Sequence, residues 1–435
     1  MRIFLILLLL LLPIKEQFAQ KKITIDQAIK IALNNNVQIM KIKNGLTSVE
    51  SNAKAAFGEL LPTVSGSLRW DWSRSENKDI PTRFNRSFGA GVNSDWILFD
   101  GLANYAYLRQ RNNDYESAVL DIKQIKQDIV FQTISYYYDL TYYKKLLKVR
   151  EDDLAWNKKN LEIINERNML GSVTLADVYQ QQVKVGTSEL ELIKANNNYE
   201  TAKSSFLYFL GIDILESYDI SDSDENLDSV VVVEDFNIDN LKAMIQTAFN
   251  KRPDYLSAKI GLNNAYEQIN ISKAGHMPVL RNNFGINTNG PQLGSIMDSK
   301  NYSFGLFLSI PIFSGWSVEN RIQLAEVDLK NKQIDLNNLE KEITKDMQKT
   351  YLDMIAAQKG LEVSRKNVTA SSENRRIEEE KYLLGSTTLL NVLISNSEYT
   401  NAVSSYISAR ISYMKLKEEL DYRIGSVNFD KYENQ

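Results

Sequence analysis

The sequence predicts an α+β chain built twice over, in which very long antiparallel helical hairpins are joined to short pairs of β-strands. Three observations carry that expectation. The seven prolines fall at residues 13, 62, 81, 253, 278, 291 and 311, so residues 82–252 and 312–435 run without one. Four short segments between the helical stretches alternate apolar and polar residues with the period of a strand. Finally, the chain resembles itself at a spacing of 214 residues: Glu166–Val178 matches Glu380–Val392 with seven identities in thirteen positions.

The helices come from the proline-free stretches. Leu102 to Leu170 holds neither Gly nor Pro, and apolar residues recur at three and four through Ile122, Ile125 and Ile129, then Tyr136, Leu140, Tyr143 and Leu147. Trp316 to Leu384 is interrupted only by Gly360 and carries Leu336, Leu339, Ile343, Met347 and Met354 on one seam. Each stretch is 69 residues, roughly 100 Å as continuous helix. Ordinary globular helices average about 11–12 residues, so a coiled-coil-like assembly is expected.

The strands are expected at about 62–73, 86–99, 279–289 and 302–313. The first sets Val64, Leu68, Trp70 and Trp72 against Ser65, Ser67, Arg69 and Asp71. The second sets Phe88, Ala90, Val92 and Trp96 against Gly89, Gly91, Asn93 and Asp95. The later pair sets Leu280, Phe284 and Ile286 against Arg281, Asn283 and Gly285, then Tyr302, Phe304, Leu306 and Leu308 against Ser303, Gly305 and Ser309. These lengths are near the ~9–11 residues of a tilted membrane strand, with Trp or Tyr toward the ends. An α+β membrane protein follows, with the strands rather than the helices in lipid, because no run after the leader approaches 18 uninterrupted apolar residues. A membrane barrel must close and needs at least ~8 strands, so four per chain require a shared barrel: two copies would give eight, three would give twelve.

The organisation reads as a signal peptide at 1–19, a first repeat at 20–211 with a turn at 170–174, an acidic linker at 212–236, a second repeat at 237–424 with a turn at 384–388, and a tail at 425–435. The leader pairs Arg2 with an apolar run from Ile3 to Leu12, too short for a spanning helix. Ile212–Asp239 carries ten carboxylates and no Lys or Arg; EF-hand spacing is absent, so a solvated linker is expected.

Composition restricts the chemistry. Lys and Arg number 51 against 55 Asp and Glu, for a net charge of −4, so no overall positive field exists to hold nucleic acid. With no Cys and one His, His276, thiol and most imidazole chemistry is excluded, and neither a metal nor another cofactor is expected. Asp152-Asp153 and Glu378-Glu379-Glu380 sit in charged helix-period contexts and read as solvated faces, the Tyr136-Tyr137-Tyr138 cluster as helix packing, and His276 as structural.

The signal peptide, the doubled helix-strand-strand-helix order, the strand exits Phe99-Asp100-Gly101 and Phe313-Ser314-Gly315, the Lys-Arg-Pro-Asp of residues 251–254 and the two Leu-Gly-Ser turns together resemble the TolC-like outer-membrane efflux family. The resemblance spans about Ile23 to Ile424. It implies a homotrimer whose twelve-stranded barrel sits in outer-membrane lipid and whose twelve-helix barrel extends into the periplasm. Such a duct has no enzymatic activity of its own and receives cargo from an inner-membrane pump through a periplasmic adaptor. The resemblance places adaptor contacts at Leu170, Gly171, Ser172 and Thr174 and at Leu384, Gly385, Ser386 and Thr388. Family members often carry acidic residues just after the second turn; the matching positions here are Asn391 and Ile394, and the family's basic turn position is Thr387. A periplasmic aperture formed by polar and apolar contacts around Leu390, Asn391 and Ile394 is therefore expected, with Asp177 the remaining nearby carboxylate.

Overall fold

The order of elements is set by where the chain can and cannot continue a helix. The structure, a computed structural model, describes residues 21–77, 80–216, 218–220 and 237–433. The expected leader at 1–19 and most of the acidic linker lie outside the described residues. In the first half, β1 (Lys21–Ile23) leads into α1 (Ile25–Asn35) and α2 (Val37–Gly58), then β2 (Thr63–Asn77), β3 (Ile80–Phe99), α3 (Ala103–Met169), α4 (Leu175–Leu210) and β4 (Tyr218–Ile220). The second half runs α5 (Ile238–Lys251), α6 (Pro253–Lys273), β5 (Val279–Gly290), β6 (Lys300–Ser309), α7 (Ser317–Leu383) and α8 (Leu389–Ile424), ending in the short α9 (Asp430–Glu433).

Local chemistry starts each short helix. Thr24 and Gln27 form a reciprocal cap on α1, and Asn36 takes the Gln38 amide at 2.8 Å to start α2. In the Lys-Arg-Pro-Asp motif, Pro253 occupies the first turn of α6, where its missing N–H costs nothing. Asp254 then holds the Arg252 guanidinium at 2.6 Å, and Arg252 also donates to the Arg423 carbonyl at 3.2 Å, tying the start of α6 to the end of α8.

The repeat is structural as well as sequential. Helices α3 and α7 are both 67 residues long, and α4 and α8 are both 36. Each corresponding boundary is displaced by 214, from Ala103 and Ser317 to Leu210 and Ile424. Both long helices are entered through two consecutive left-handed residues, Gly101 and Leu102 (φ 72° and 67°) and Gly315 and Trp316 (φ 60° and 63°), which turn the chain sharply from sheet to helix. The matched Phe-x-Gly motifs thus mark the entry to each long helix, the first directly at the end of β3 and the second four residues beyond the end of β6. A Cβ on Gly101 would lie 2.6 Å from the Met277 Cβ and 3.1 Å from the Ala274 backbone, whereas one on Gly171 would meet nothing within 4 Å. Gly101→Ala is therefore expected to cost about 2 kcal/mol or more and Gly171→Ala about half that, since only the first adds a clash to the left-handed strain. Thermal melting of the two variants checks the ranking.

Helix α3 packs antiparallel against α4, and α7 against α8; α3 also touches α6 and α8. One core gathers Ile29, Ile129, Tyr137, Leu140, Phe206 and Leu210 with β1, β4 and Phe429 of the tail. A second, in the other half, gathers Leu241, Ile343, Met347, Tyr351 and Leu420. Tyr137 is fully buried and edge-on to Phe206, so it packs the helices together. The described start of the linker is not wholly solvated: β4 pairs in parallel with β1, and Tyr218 is buried there. The tail likewise folds back onto α1, with Lys431 3.4 Å from Asp26.

The four long strands form one antiparallel sheet in the order β2-β3-β5-β6, so β3 and β5 join the two repeats and β2 and β6 are its edges. Two strand limits differ from expectation. The β2–β3 ladder extends beyond 73 and begins before 86, pairing as far as Asn77 with Ile80, because cross-strand pairs such as Trp72 with Arg86 and Arg74 with Phe84 continue the ladder. At the other edge β6 stops at Ser309 rather than 313, because Pro311 has no N–H to give a ladder.

The register sorts side chains by face. One face carries the rows Val64–Ser94–Phe284–Phe304 and Gly66–Val92–Ile286–Tyr302, flanked by Leu68, Trp70 and Trp72. The opposite face carries Ser65–Asn93–Gly285–Ser303 and Ser67–Gly91–Asn287–Asn301. Leu68 on the first face is 88% exposed and Phe304 73%, so the protein itself leaves this apolar surface uncovered.

Candidate functional site

At the far end of each long helical hairpin, the chain reverses through the same hydrogen-bonded turn. After α3 the Gly171 amide bonds the Asn168 carbonyl at 2.9 Å and the Ser172 amide the Arg167 carbonyl at 2.8 Å. After α7 the Gly385 amide bonds Tyr382 at 3.1 Å and the Ser386 amide Lys381 at 2.9 Å. Both glycines have φ near +70°, the left-handed position of a Schellman stop, which explains the repeated Leu-Gly-Ser. This geometry leaves Leu170 and Leu384 exposed at the turns, at 80% and 83%, with Met169 beside the first at 79%.

The returning helices start differently. Thr174 caps α4 reciprocally with Asp177: the Asp177 carboxylate accepts from the Thr174 amide at 2.9 Å and hydroxyl at 2.7 Å. Asp177 is thus engaged as a helix cap. Thr388 makes no such side-chain bond. Its neighbour Thr387 instead donates to Glu378 at 2.9 Å and accepts from the Asn391 amide side chain at 2.9 Å. Beyond that turn, Leu389, Val392 and Leu393 are buried against Ile164, Val178 and Tyr382, while Leu390 and Ile394 are about half exposed on the other face of α8. Leu390, Asn391 and Ile394 share that exposed stripe, one turn apart.

The two tips are tied together by Arg167, a residue the sequence reading did not single out. Its guanidinium donates to the carbonyls of Tyr382 and Leu383 at 3.2 and 2.8 Å and lies over the Tyr382 ring. Both carbonyls lie in the last turn of α7, at the negative end of the helix dipole, a natural seat for a cation. Burial pushes the Tyr382 phenol above its ordinary range. The repeat position of Arg167 is Lys381, which pairs with Glu378 of its own helix at 2.7 Å.

Further along the hairpins lies a buried polar network. The Asp153 carboxylate accepts from Ser188 at 2.7 Å, from Asn396 at 2.9 Å and from Thr400 at 3.3 Å, joining α3, α4 and α8. Fully buried Asn157 donates to Ser188 at 3.0 Å, and fully buried Gln181 donates to Asn157. The reading of Asp152-Asp153 as one solvated pair is thereby corrected: Asp152 meets Lys148 at the surface, while the next residue turns inward. The signal was present in the spacing, since Asp153, Asn157, Asn160 and Ile164 fall on one helical stripe opposite the heptad-spaced Gln181, Ser188 and Ala195. Glu379 accepts from the Trp156 indole at 3.0 Å, and Glu380 pairs with Arg376 at 2.6 Å. His276 lies in the turn before β5, 3.8 Å from Glu319.

Among the described residues no group of His, Asp and Glu side chains is placed to hold a metal ion, and no helix is long and apolar enough to cross a membrane. The family model for outer membrane efflux proteins matches residues 28–211 and 244–426, one match in each half. Outer membrane efflux protein BepC of Brucella suis is 19% identical over 404 residues, covering 91% of this chain and 82% of BepC. The solved structure of CusC superposes with a TM-score of 0.84 at 16% identity, covering 93% of this chain and 92% of the other. The CmeC outer membrane channel of Campylobacter jejuni gives 0.81 at 15% identity, with 94% and 88% covered. With both repeats matched and the same fold found over more than nine-tenths of the chain, the chain belongs to the outer membrane efflux protein family and forms part of a duct in the Gram-negative outer membrane that extends into the periplasm.

Proposed function

We propose that three copies of the chain close into one tube, a twelve-stranded barrel in the outer membrane continuing as a twelve-helix barrel in the periplasm, and that this tube is the passive exit of a tripartite efflux or secretion system. The observation that carries the reading is the four-stranded sheet, with two edges, one apolar exposed face and one face of Ser, Asn and Gly. In lipid an edge strand must be paired, and in a closed cyclic assembly the β2 edge of one copy pairs with the β6 edge of the next. Two copies would give eight strands, whose interior side chains fill; twelve leave a water-lined lumen. The exposed Leu170 and Leu384, each seated on a rigid glycine turn with Ser172 and Thr174 or Ser386 and Thr388 beside it, present two similar knobs to a periplasmic adaptor, which links the tube to an inner-membrane pump. The pump supplies the energy; the tube itself performs no catalysis. Its periplasmic end closes around Leu390, Asn391 and Ile394 and opens when the hairpins move apart.

Light scattering of the detergent-extracted mature protein, with detergent subtracted, is expected to give a trimer, and planar bilayers are expected to show discrete conductance steps. A water-soluble monomer without conductance would overturn the tube. Within the conducting protein, the double variant Asn391→Ala, Ile394→Ala is expected to raise single-channel conductance by widening the aperture. Unchanged conductance would remove those residues from the gate.

A further inference from the structure

The β2–β3 hairpin outruns the rest of the sheet. The last pairing of β3 with β5 is Phe88 with Gly290, but β2 and β3 stay paired from Asp71 and Ser87 out to Asn77 and Ile80. Along the apolar face of this hairpin the pairs change character over a few residues, from Leu68 with Ala90, through Trp70 with Phe88 and Trp72 with Arg86, to Arg74 with Phe84. Trp72 and Phe84 lie 6.4 Å apart, and the Arg74 guanidinium covers the Phe84 ring at 5.5 Å while pairing with Glu76. Arg86 differs: it is exposed and makes no ion pair among the described residues. It lines a cleft of about 580 Å³ together with Trp70, Trp72 and Phe88 and with Pro291, Gln292 and Leu293 of the β5–β6 connection. Gln292 and Ser295 bond each other reciprocally across that connection, at 3.2 and 3.0 Å, so the far wall of the cleft is held in place.

We infer that this cleft binds a phosphorylated, acylated lipid of the outer leaflet, with Arg86 taking the phosphate and Trp70, Trp72, Phe88 and Leu293 taking the first part of an acyl chain. The inference rests on the proposed reading of the sheet as a barrel wall. In that reading the apolar face meets lipid, so the cleft is continuous with the lipid-facing band and sits where hydrocarbon gives way to headgroups. Aromatic rings occupy that level because one end of each is apolar and the other polar. An exposed guanidinium with no ion pair among the described residues meets there a plane of phosphates, which it binds in fork geometry without the desolvation of a deep site. A soluble peptide or nucleotide would match the charge but not the uninterrupted apolar approach from Leu68 and Ala90.

Native mass spectrometry of the detergent-extracted trimer, incubated with synthetic diphosphorylated lipid A, with its dephosphorylated form, or with inorganic phosphate, tests the assignment. The unsubstituted protein is expected to retain the phosphorylated lipid in preference to the dephosphorylated one. Arg86→Ala is expected to lower that retention by about tenfold, the loss of one charge-assisted contact, and Arg86→Lys to restore part of it. Conductance should be unchanged in both variants, since Arg86 lies on the face away from the lumen. Equal lipid retention by Arg86→Ala and the unsubstituted protein would overturn the assignment, as would retention of inorganic phosphate without lipid preference. A conducting trimer that fails this test sinks the lipid site alone, whereas failure to form a conducting trimer sinks the barrel reading beneath it.

Discussion

Arg167→Ala is expected to raise single-channel conductance and the fraction of time spent open, because it removes a charged side chain that holds the tip of the first hairpin to the end of α7. Two hydrogen bonds from a guanidinium to the terminal carbonyls of Tyr382 and Leu383 close that gap at 3.2 and 2.8 Å. Bonds to a charged group are worth about 1.5–3 kcal/mol when shielded, and the Leu383 contact is open to solvent, so about 1–2 kcal/mol for the pair is a fair scale. That shifts a closed-to-open ratio by roughly tenfold. The repeat supplies the control. Lys381→Ala breaks only a pair with Glu378 within the same helix, so its conductance should stay close to that of the unsubstituted channel. Arg167→Lys should fall between, since an ammonium lacks the fork that spans two successive carbonyls. Unaltered conductance in Arg167→Ala would show that the contact is not part of the closed state's stabilisation.

Asp153→Ala is expected to lower stability by about 3 kcal/mol or more, as much as truncating a large apolar core side chain. The substitution strands three donors together, the Ser188 and Thr400 hydroxyls and the Asn396 amide, in a site where Ser188 is 4% and Asn396 1% exposed. Each buried donor left without a partner costs about 1–3 kcal/mol, and the neighbouring Asn157 and Gln181 lose the arrangement they rely on. Asp153→Asn preserves the shape but exchanges one acceptor for a donor facing other donors, so an intermediate loss is expected. The neighbour Asp152→Ala should cost no more than a surface ion pair, well under 1 kcal/mol. Circular dichroism melting of the three variants gives the order. A melting temperature unchanged by Asp153→Ala would mean that water replaces the carboxylate there.

Much of the architecture was legible before any coordinates. The 214-residue self-similarity, the absence of Gly and Pro from Leu102 to Leu170 and the alternation from Val64 to Trp72 are properties of the backbone and of hydrophobic period. They require no knowledge of neighbours. The candidate tips were legible for the same reason, since only glycine passes easily through the left-handed turn at 171 and 385.

What the sequence by itself determined, then, is the doubled order of elements, their approximate lengths and which face of each strand is apolar. Tertiary structure decided which of two similar residues acts. Asp152 and Asp153 are chemically alike, but neighbouring positions on a helix point about 100° apart, so one meets Lys148 in solvent and the other three buried donors. Arg167 and Lys381 occupy equivalent places in the repeat, yet the hairpins do not meet symmetrically within the chain, and only Arg167 finds the exposed carbonyls of the other tip. The projecting β2–β3 hairpin belongs to the same class, because a ladder's length depends on what lies across it rather than on its own alternation. Periodicity is written along the chain, whereas a partner is supplied by another part of it.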